Sequence, residues 1–427
     1  MSEKDTIFAL SSGRPPAAIS VVRISGPQAH RAAERMAGSL PEPRTAAMRE
    51  LREPSTGELL DEAIVLRFDS PASSTGEDIV EFQCHGGRAV VDAVHSALGG
   101  IEGLRQAEPG EFTRRAFENG RIDLTEAEGL ADLLEAETES QRRAALTLAE
   151  GGLRRQIGLW QERLLALSAR AERAIDYDEE DREIDHALAS DREALAAELR
   201  LWLERPRVEP LKDGIRVVVA GPPNAGKSSL INAIAGEERA IVTDIPGTTR
   251  DHIEVPLSLG GIPLLLTDTA GLRETDDKVE AIGVARAAQL VEGAEVLVWL
   301  GGPADATAHP RLICVHARAD LPDRGPIPNG SIAVSSVTRE GVDRLLERIE
   351  QMAQSFLPGE DALALNRRQA QLIEEAADAI ARVDLSGDVV LVAEDLRLAR
   401  SAFDRLTGRS GVEDVLDALF GRFCLGK

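Results

Sequence analysis

The chain has 427 residues and a formal net charge of −24. This charge excludes a general coat of basic surface, so any nucleic acid must meet a local patch or a second protein. Its three cysteines exclude a disulfide framework and favour a reducing, cytoplasmic compartment. No run approaches the ~18 apolar residues of a membrane span, and residues 1–10 lack the apolar core of a signal peptide.

Residues 1–118 combine short strand patterns with Gly and Pro turns, which predicts an α+β domain. The runs at 18–24 and 64–68 are apolar and rich in β-branched residues. Val80, Phe82 and Cys84 alternate with polar residues, and this alternation predicts a half-buried strand.

The pattern becomes helical from 119 to 210, the first part of a predicted α-helical domain. Thr125 and Glu128 fit a capping box. Leu195, Leu199 and Trp202 repeat at the spacing of one helix face. The acidic stretch at 176–181 is interpreted as a solvated helix face, with a partner site as the alternative.

Strand-like and helical segments alternate between 214 and 357, which predicts a doubly wound α/β domain. The strand candidates are 215–220, 263–268, 296–300, 312–316 and 332–334. After this region the pattern is helical again, at 363–383, 389–406 and 412–420. The predicted fold is therefore multidomain, with an α/β domain inserted between a first helical part and a second one at 358–427.

Residues 221–228 read GPPNAGKS, which matches the phosphate loop GxxxxGK[ST] between a strand and a helix. Glycines let the backbone wrap phosphates with its N–H groups pointing inward, and the helix adds its positive N-terminal end. Lys227 is predicted to reach the β- and γ-phosphates, and the Ser228 hydroxyl to bind Mg²⁺. The predicted nucleotide contacts in this segment are Asn224, Ala225, Gly226, Lys227, Ser228 and Ser229.

A second motif, DxxG, begins at Asp268 after the next strong apolar run. Asp268 is predicted to hold Mg²⁺ through water, and the Gly271 N–H to sense the γ-phosphate. Thr249, in the loop between the two motifs, is predicted to complete the Mg²⁺ shell. The predicted GTP contacts of these two segments are Thr243, Asp244, Ile245, Pro246, Gly247, Thr248, Thr249, Asp268, Thr269, Ala270 and Gly271.

The base-recognition segment is unusual. GTPases of this type carry Asn-Lys-x-Asp after the fourth strand, whereas this chain has Ala317, Arg318, Ala319 and Asp320. Asp320 still offers a carboxylate to guanine and the Arg318 stem still covers the base, but the Asn contact is missing. A lost neutral hydrogen bond costs about 0.5–1.5 kcal/mol, so we predict weakened GTP binding with guanine preference retained.

The sequence leaves the hydrolytic machinery partly open. Leu272 follows DxxG where small GTPases often place a water-orienting Gln, and no Arg finger is evident. The Asn224 side chain is a candidate ligand for a monovalent cation in place of a finger. Glu274 and Glu280 are both candidates for orienting the attacking water, and residue chemistry alone does not choose between them.

Several unrelated segments resemble one family. They are Asp5-Thr6-Ile7, Val22-Arg23-Ile24-Ser25-Gly26, Thr75-Gly76-Glu77-Asp78, His85-Gly86-Gly87, Pro109-Gly110-Glu111-Phe112-Thr113, Arg115-Ala116-Phe117, Asp123-Leu124-Thr125 and the terminal Cys424-Leu425-Gly426-Lys427. Together with the GTPase loops, they resemble the MnmE/TrmE family of tRNA modification GTPases over essentially the whole length.

This resemblance implies a cytoplasmic homodimer whose N-terminal domain resembles folate-dependent enzymes and binds a formyl-tetrahydrofolate derivative. It implies a heterotetramer-type complex with the flavoprotein MnmG and no membrane partner. The pair would install a carboxymethylaminomethyl-type group on the wobble uridine of certain tRNAs, with K⁺-stimulated GTP hydrolysis.

The resemblance also implies residue roles. It assigns K⁺ to Asn224, Thr243, Ile245 and Thr248, Mg²⁺ to Ser228 and Thr249, catalysis to Glu280 and Lys227, and the folate to Arg23, Glu81, Arg121 and Lys427. Cys424 matches the family's terminal cysteine, with a structural thiol as the alternative. Arg121 stands where Lys is common, and 301–310 is short and lacks the usual Asp.

Two other functions compete with tRNA modification. A ribosome-assembly GTPase acting as an RNA-binding switch predicts an added module such as a KH domain, and no such pattern follows the α/β domain. The third candidate function is that of a dimerising scaffold protein in which GTP hydrolysis only times a conformational change.

Overall fold

The computed structural model describes all residues except 1–4, 177–185, 237–253, 270–287, 358, 360–362, 385–388, 411–412, 424–425 and 427. The chain forms two compact units. The first contains Met1–Ala131, Ala149–Gln161 and Ser401–Lys427, and the second contains Asp132–Leu148 and Glu162–Arg400. Among the described residues, no helix is both long enough and apolar enough to cross a membrane.

The first unit contains a six-stranded sheet in the order β3-β4-β5-β2-β1-β6. Neighbouring strands are antiparallel except for the parallel pair β1–β6. The elements are β1 Thr6–Leu10, β2 Ile19–Ser25, α1 Ala29–Ala37, β3 Ala47–Arg52, β4 Leu59–Phe68, β5 Ile79–His85, α2 Arg88–Gly99, β6 Leu104–Gln106 and α3 Glu111–Glu118.

Strand β5 is half-buried, as its alternation predicts. Val80, Phe82 and Cys84 are buried in the core that α1 and α2 complete, whereas Glu81 and Gln83 lie partly exposed on the other face. The strand predicted at 18–24 is confirmed as β2 with a shift of one residue, and the strand predicted at 64–68 is confirmed within β4. The short strands β1, β3 and β6 carry no long apolar run, and the sequence analysis missed them.

Helices α4 Leu124–Glu135 and α13 Glu413–Phe420 follow this sheet in the first unit's helical core. The predicted capping box of Thr125 and Glu128 is wrong. Asp123 and Glu126 form the box, because the Glu126 N–H donates to Asp123 Oδ1 (2.9 Å) and the Asp123 N–H donates to Glu126 Oε2 (2.7 Å). Asp123 is an equally good N-cap residue two positions earlier, and the Thr125 hydroxyl donates to its carboxylate (2.7 Å).

The remaining helices precede, alternate with or follow the strands of the second sheet along the chain. They are α5 Glu139–Ala149, α6 Gly152–Asp176, α7 His186–Leu203, α8 Glu209–Asp213, α9 Lys227–Ala235, α10 Val342–Ala353, α11 Arg367–Arg382 and α12 Val389–Thr407. The predicted stripe of Leu195, Leu199 and Trp202 is buried in α7, which packs along α11.

The second unit contains a six-stranded sheet in the order β12-β11-β10-β7-β9-β8. Its strands are β7 Ile215–Ala220, β8 Glu254–Leu259, β9 Ile262–Asp268, β10 Val296–Trp299, β11 Leu312–Ala317 and β12 Ile332–Val334. All five predicted strands are confirmed to within one residue at each end. Edge strand β8, antiparallel to β9, was missed, and Pro256 within it suits only an edge.

The chain enters and leaves this α/β region at adjacent points. Arg207 and Leu365 form a parallel β-bridge, and the Val208 N–H donates to the Leu365 carbonyl (3.2 Å). The Arg367 N–H then donates to Glu209 Oε1 (2.6 Å). Adjacent entry and exit points are what an inserted domain requires, although the four predicted domain bounds themselves stay predictions.

Candidate functional site

The phosphate loop lies between the end of β7 and the start of α9. Gly221 and Gly226 have φ of 149° and 99°, and Asn224 has φ of 59°. A Cβ on Gly221 would lie 3.2 Å from the Leu300 backbone. The loop therefore needs glycine both for its positive φ and for its close approach to β10.

Lys227 points back into this loop. Its side chain is 8% exposed, and Nζ donates to the carbonyls of Gly221 (3.1 Å) and Pro222 (3.0 Å). The ammonium group consequently lies within the curve of the loop at the N-terminal end of α9. A positive charge and a helix N-terminus at one point make this an anion site.

Two predicted Mg²⁺ residues meet beside the loop. The Ser228 hydroxyl donates to Asp268 Oδ2 at 2.6 Å, and Asp268 is 1% exposed at the end of β9. The parallel pairing of β7 with β9 sets Val219 opposite Asp268, and the Thr269 hydroxyl donates to the Val219 carbonyl (3.0 Å). A hydroxyl and a carboxylate are hard oxygen donors, so this pair fits Mg²⁺.

The other residues predicted in this loop are spread over its two sides. Ala225 is buried in the sheet core, whereas Asn224 and Ser229 are exposed. Asn224 is therefore accessible to solvent.

The base-recognition segment follows β11, which lies two strands from β7 in the same sheet. Arg318 has φ of 58°, and its Nε lies 3.5 Å from the position of a Cβ on Gly226. Asp320 is exposed. The Ala319 N–H donates to the Val334 carbonyl (3.1 Å), which sets 318–320 beside the turn that buried Ser335 caps.

Several residues predicted from the sequence lie in segments outside the described part of the chain. The predicted residues Thr243, Asp244, Ile245, Pro246, Gly247, Thr248, Thr249, Ala270, Gly271, Glu280 and Lys427 lie outside the described residues. The same is true of Leu272, Glu274 and Cys424. Their assigned roles stay predictions.

Arg23 and Glu81 form an ion pair on the open face of the first sheet. They stand opposite each other on β2 and β5, with Arg23 Nη2 2.8 Å from Glu81 Oε1 and exposed fractions of 23% and 16%. The Arg23 guanidinium also lies 5.6 Å from the centroid of the Phe112 ring, a cation–π distance. The pair is thus fixed on two sides.

Arg121 lies against the loop before β5, because a Cβ on Gly76 would be 3.2 Å from Arg121 Cγ. Among the described contacts, none joins Arg121 to the Arg23–Glu81 pair.

Arg115, on α3 of the same unit, forms ion pairs with three carboxylates. The sequence analysis gave it no role. This 5% exposed side chain bonds Asp5 (3.0 Å), Glu77 (3.2 Å) and Glu111 (2.9 Å). Burial alone would raise the pKa of Glu111, but hydrogen bonds from Arg105, the Glu108 N–H and Arg115 outweigh it and lower that pKa. A buried arginine among three carboxylates carries no linear motif, which is why the sequence does not reveal it.

The end of the chain reaches this sheet. Gly426 has φ of 92°, and its carbonyl accepts a 2.8 Å hydrogen bond from the Ser11 hydroxyl. A Cβ on Gly426 would lie 1.9 Å from the Leu10 carbonyl oxygen. The Ser11 N–H donates to the Val21 carbonyl (2.7 Å), so Gly426 lies at the end of β1 beside β2. Val21 of β2 is two residues before Arg23.

Two family models match the chain: the MnmE helical domain over residues 124–424 and the GTP-binding protein TrmE N-terminus over residues 6–121. The tRNA modification GTPase MnmE of Erythrobacter litoralis is 52% identical, covering 99% of this chain and 100% of that protein. The tRNA modification GTPase MnmE of Rhizorhabdus wittichii is 54% identical, covering 100% and 97%.

Among solved structures, the G domain of the T. maritima FeoB iron transporter is 25% identical, with a TM-score of 0.25. It covers 33% of this chain and 99% of that one.

Proposed function

From the premise that this chain belongs to the MnmE family of tRNA modification GTPases, we propose that it is a K⁺-stimulated GTPase. With a flavoprotein partner of the MnmG type, it installs a carboxymethylaminomethyl-type group on the wobble uridine of certain tRNAs. The observation that carries the nucleotide part is the position of the Lys227 ammonium within the curve of the phosphate loop.

The triphosphate lies along the loop N–H groups and the N-terminus of α9. Lys227 exchanges its two carbonyl partners for phosphate oxygens, which are stronger acceptors for an ammonium group. Ser228 and Thr249 hold Mg²⁺, with Asp268 acting through water; when bound, this ion neutralises the charge that develops on the phosphates. Thr249 lies outside the described residues.

Hydrolysis needs an oriented water and a positive charge near the β–γ bridge. Glu280 orients the water in this proposal. K⁺ supplies the charge, held by Asn224, Thr243, Ile245 and Thr248. Of these four residues, only Asn224 is described, and its exposed position is compatible with binding a cation.

The N-terminal site takes a formyl-tetrahydrofolate derivative on Arg23, Glu81, Arg121 and Lys427. An arginine matches a carboxylate of the folate tail bidentately, and a carboxylate matches the paired N–H donors of a pterin ring. The partly exposed position of the Arg23–Glu81 pair, which leaves it accessible to a small molecule, supports this assignment. The proposed assembly is a cytoplasmic homodimer that meets tRNA chiefly through the flavoprotein, since the chain is strongly acidic.

A deletion strain complemented by this chain tests the proposal. Mass spectrometry of wobble nucleosides is expected to show the modified uridine restored by the unchanged chain and absent with Lys227→Ala. Purified protein is expected to hydrolyse GTP faster in K⁺ than in Na⁺. Unchanged uridines in the deletion strain reject the tRNA role, and an equal rate in both salts rejects the K⁺ site.

The alternative, a ribosome-assembly switch, predicts an RNA-binding α/β module after the GTPase domain. Within the part of the chain that the structure describes beyond α10, the regular elements of more than one turn are helices. This arrangement supports the tRNA-modification proposal over the alternative.

A further inference from the structure

Three side chains with metal-binding chemistry meet on the first unit, away from both sites described above. His30 lies in the first turn of α1, Asp69 directly follows β4, and Asp78 directly precedes β5. One ring nitrogen and one oxygen from each carboxylate lie within 4.8 Å of one another. Among the described residues, this is the one such group of three.

The backbone fixes the two carboxylates side by side. Strands β4 and β5 are antiparallel, and Phe68 pairs with Ile79 at their shared end. Asp69 and Asp78 are the next residue on each strand, so they leave the sheet together. The Gly26 N–H donates to the Asp78 carbonyl (3.0 Å), which fixes the segment before α1 beside them.

His30 lies within ion-pair distance of both acids but makes no short hydrogen bond to either. Its Nε2 lies 3.4 Å from Asp69 Oδ1 and its Nδ1 lies 3.6 Å from Asp78 Oδ2, longer than ordinary N–H···O hydrogen bonds. Nε2 is itself buried and has no hydrogen-bond partner among the described atoms. A buried nitrogen that makes no hydrogen bond, although a carboxylate lies 3.4 Å away, calls for an explanation such as an ion between the two.

The carboxylates are oriented from outside, as metal ligands commonly are. Arg67 Nε and Nη2 donate to Asp69 Oδ1 (2.7 Å) and Oδ2 (3.1 Å). The Ser70 N–H donates to Asp78 Oδ1 (2.8 Å), and it is the other oxygen, Oδ2, that faces His30. The geometry thus presents one oriented oxygen of Asp78 to the ring.

We propose that His30, Asp69 and Asp78 form a Zn²⁺ site that clamps α1 to the β4–β5 connection. Tetrahedral zinc with bonds of 2.0–2.1 Å separates its ligands by about 3.3–3.4 Å, which matches the spacing between His30 Nε2 and Asp69 Oδ1. The ring nitrogen nearest to Asp78 Oδ2 is Nδ1, so in the proposed site Asp78 moves closer to Nε2 from within the 4.8 Å that now bounds the three ligand atoms. Imidazole with two carboxylates suits zinc better than the oxygen-seeking Mg²⁺ or Ca²⁺. The partial exposure of all three side chains, 22–41%, leaves the fourth position to water.

Zinc titration into the full-length chain, stripped with EDTA and desalted, tests the site. One tight equivalent is expected by calorimetry, with a higher thermal unfolding midpoint for the zinc-loaded protein. His30→Gln and Asp78→Asn are expected to weaken this equivalent at least roughly 100-fold, since even outer-shell changes cost 10–100-fold. His85→Gln, which alters an exposed histidine of the same domain, is the matched control and is expected to retain it.

Two further measurements distinguish zinc binding at this site from zinc binding by other residues of the chain. Ser228→Ala is expected to keep the equivalent, because the nucleotide loop is not involved. Co²⁺ in place of zinc is expected to give a visible spectrum without the charge-transfer band of a cobalt thiolate, which excludes the cysteines.

Three outcomes overturn the proposal. One is an equivalent that survives both His30→Gln and Asp78→Asn, and another is a cobalt thiolate band. The third is a His30→Gln effect on stability of the same size with and without zinc, which would identify His30 as an ion-pair partner of the two acids and nothing more.

Discussion

The phosphate loop and the Arg23–Glu81 site are built in opposite ways. The loop is eight consecutive residues between a strand and a helix, and its Lys227 bonds carbonyls five and six positions away. Arg23 instead meets Glu81 from 58 positions away, and Ser11 meets Gly426 from 415 positions away. A contiguous site depends on its own side chains, whereas an assembled site depends on the register of the whole sheet.

The largest expected effect lies in the contiguous site. Lys227→Ala removes two charge-assisted contacts to phosphate, each worth about 1.5–3 kcal/mol. We expect GDP and GTP affinity to fall by at least roughly 100-fold, measured by titration of a fluorescent nucleotide. Lys212→Ala, another lysine of the same unit, is the control and is expected to change affinity little. A loss of only a few-fold with Lys227→Ala contradicts the assignment.

A substitution in the Arg23–Glu81 site is expected to change folate binding without changing nucleotide binding. Arg23→Ala removes a charged partner, so formyl-tetrahydrofolate affinity is expected to fall roughly 10- to 150-fold, the equivalent of about 1.5–3 kcal/mol, while nucleotide affinity stays unchanged. Arg49→Ala, on β3 of the same sheet, controls for loss of an arginine. Equal losses for both variants, measured by equilibrium dialysis, would mean that the sheet rather than the Arg23 contact was damaged.

A smaller change should strengthen the contiguous site. Ala317→Asn restores the missing base contact, and we expect GDP to bind roughly 3- to 12-fold more tightly, with guanine preferred over adenine before and after the change. Arg318→Lys is the companion control and is expected to leave affinity nearly unchanged. Competition experiments with ATP check both points, and equal competition by ATP and GTP rejects guanine recognition by Asp320.

The smallest effect is a pH dependence confined to the first unit. Burial lowers the pKa of His95 below its ordinary 6.5, with the Asp92 charge acting in the opposite direction. The unfolded chain therefore binds the proton more readily, so stability is complete above pH 6.5 and is lost as the pH falls below it, by at most about 1.4 kcal/mol per pH unit.

Hydrogen exchange of α2 at pH 7.5 and 5.5 measures this dependence. Protection is expected to fall at the lower pH in the unchanged chain and to fall less in His95→Gln. His85→Gln, which replaces a 74% exposed ring, is expected to behave like the unchanged chain. An identical slope in all three proteins removes His95 as the cause.

The same contrast explains what the sequence reveals. Strands β7, β9, β10 and β11 lie inside the sheet, and most of their residues are apolar and buried, so the sequence indicates their type and bounds. Strand β12 is a short edge strand that is only partly buried, but its Ile-Ala-Val run is also apolar. The conformation of edge strand β8 and of the short strands β1, β3 and β6 depends on hydrogen bonds to neighbouring strands, and the local residue pattern does not reveal that pairing. The phosphate loop can also be recognised from the sequence, because its function requires a fixed order of residue types within one continuous segment.

Arg115 and the His30, Asp69 and Asp78 group show the converse. Each joins residues from separate elements, at spacings set by the sheet register rather than by a motif. The capping box was predicted at Thr125 and Glu128 instead of Asp123 and Glu126 because both pairs have the spacing of the motif, and only the structure shows which hydrogen bonds form.

The hydrogen bond between Ser11 and Gly426 has a consequence for how the protein is made. Translation adds about 5–20 residues per second. Gly426 follows Ser11 by 415 residues, so it is synthesised roughly 20–80 s after Ser11. Throughout that interval the nascent first sheet has its β1 end uncovered. Stalled or prematurely terminated chains would keep that end exposed, which makes them candidates for chaperone binding or degradation.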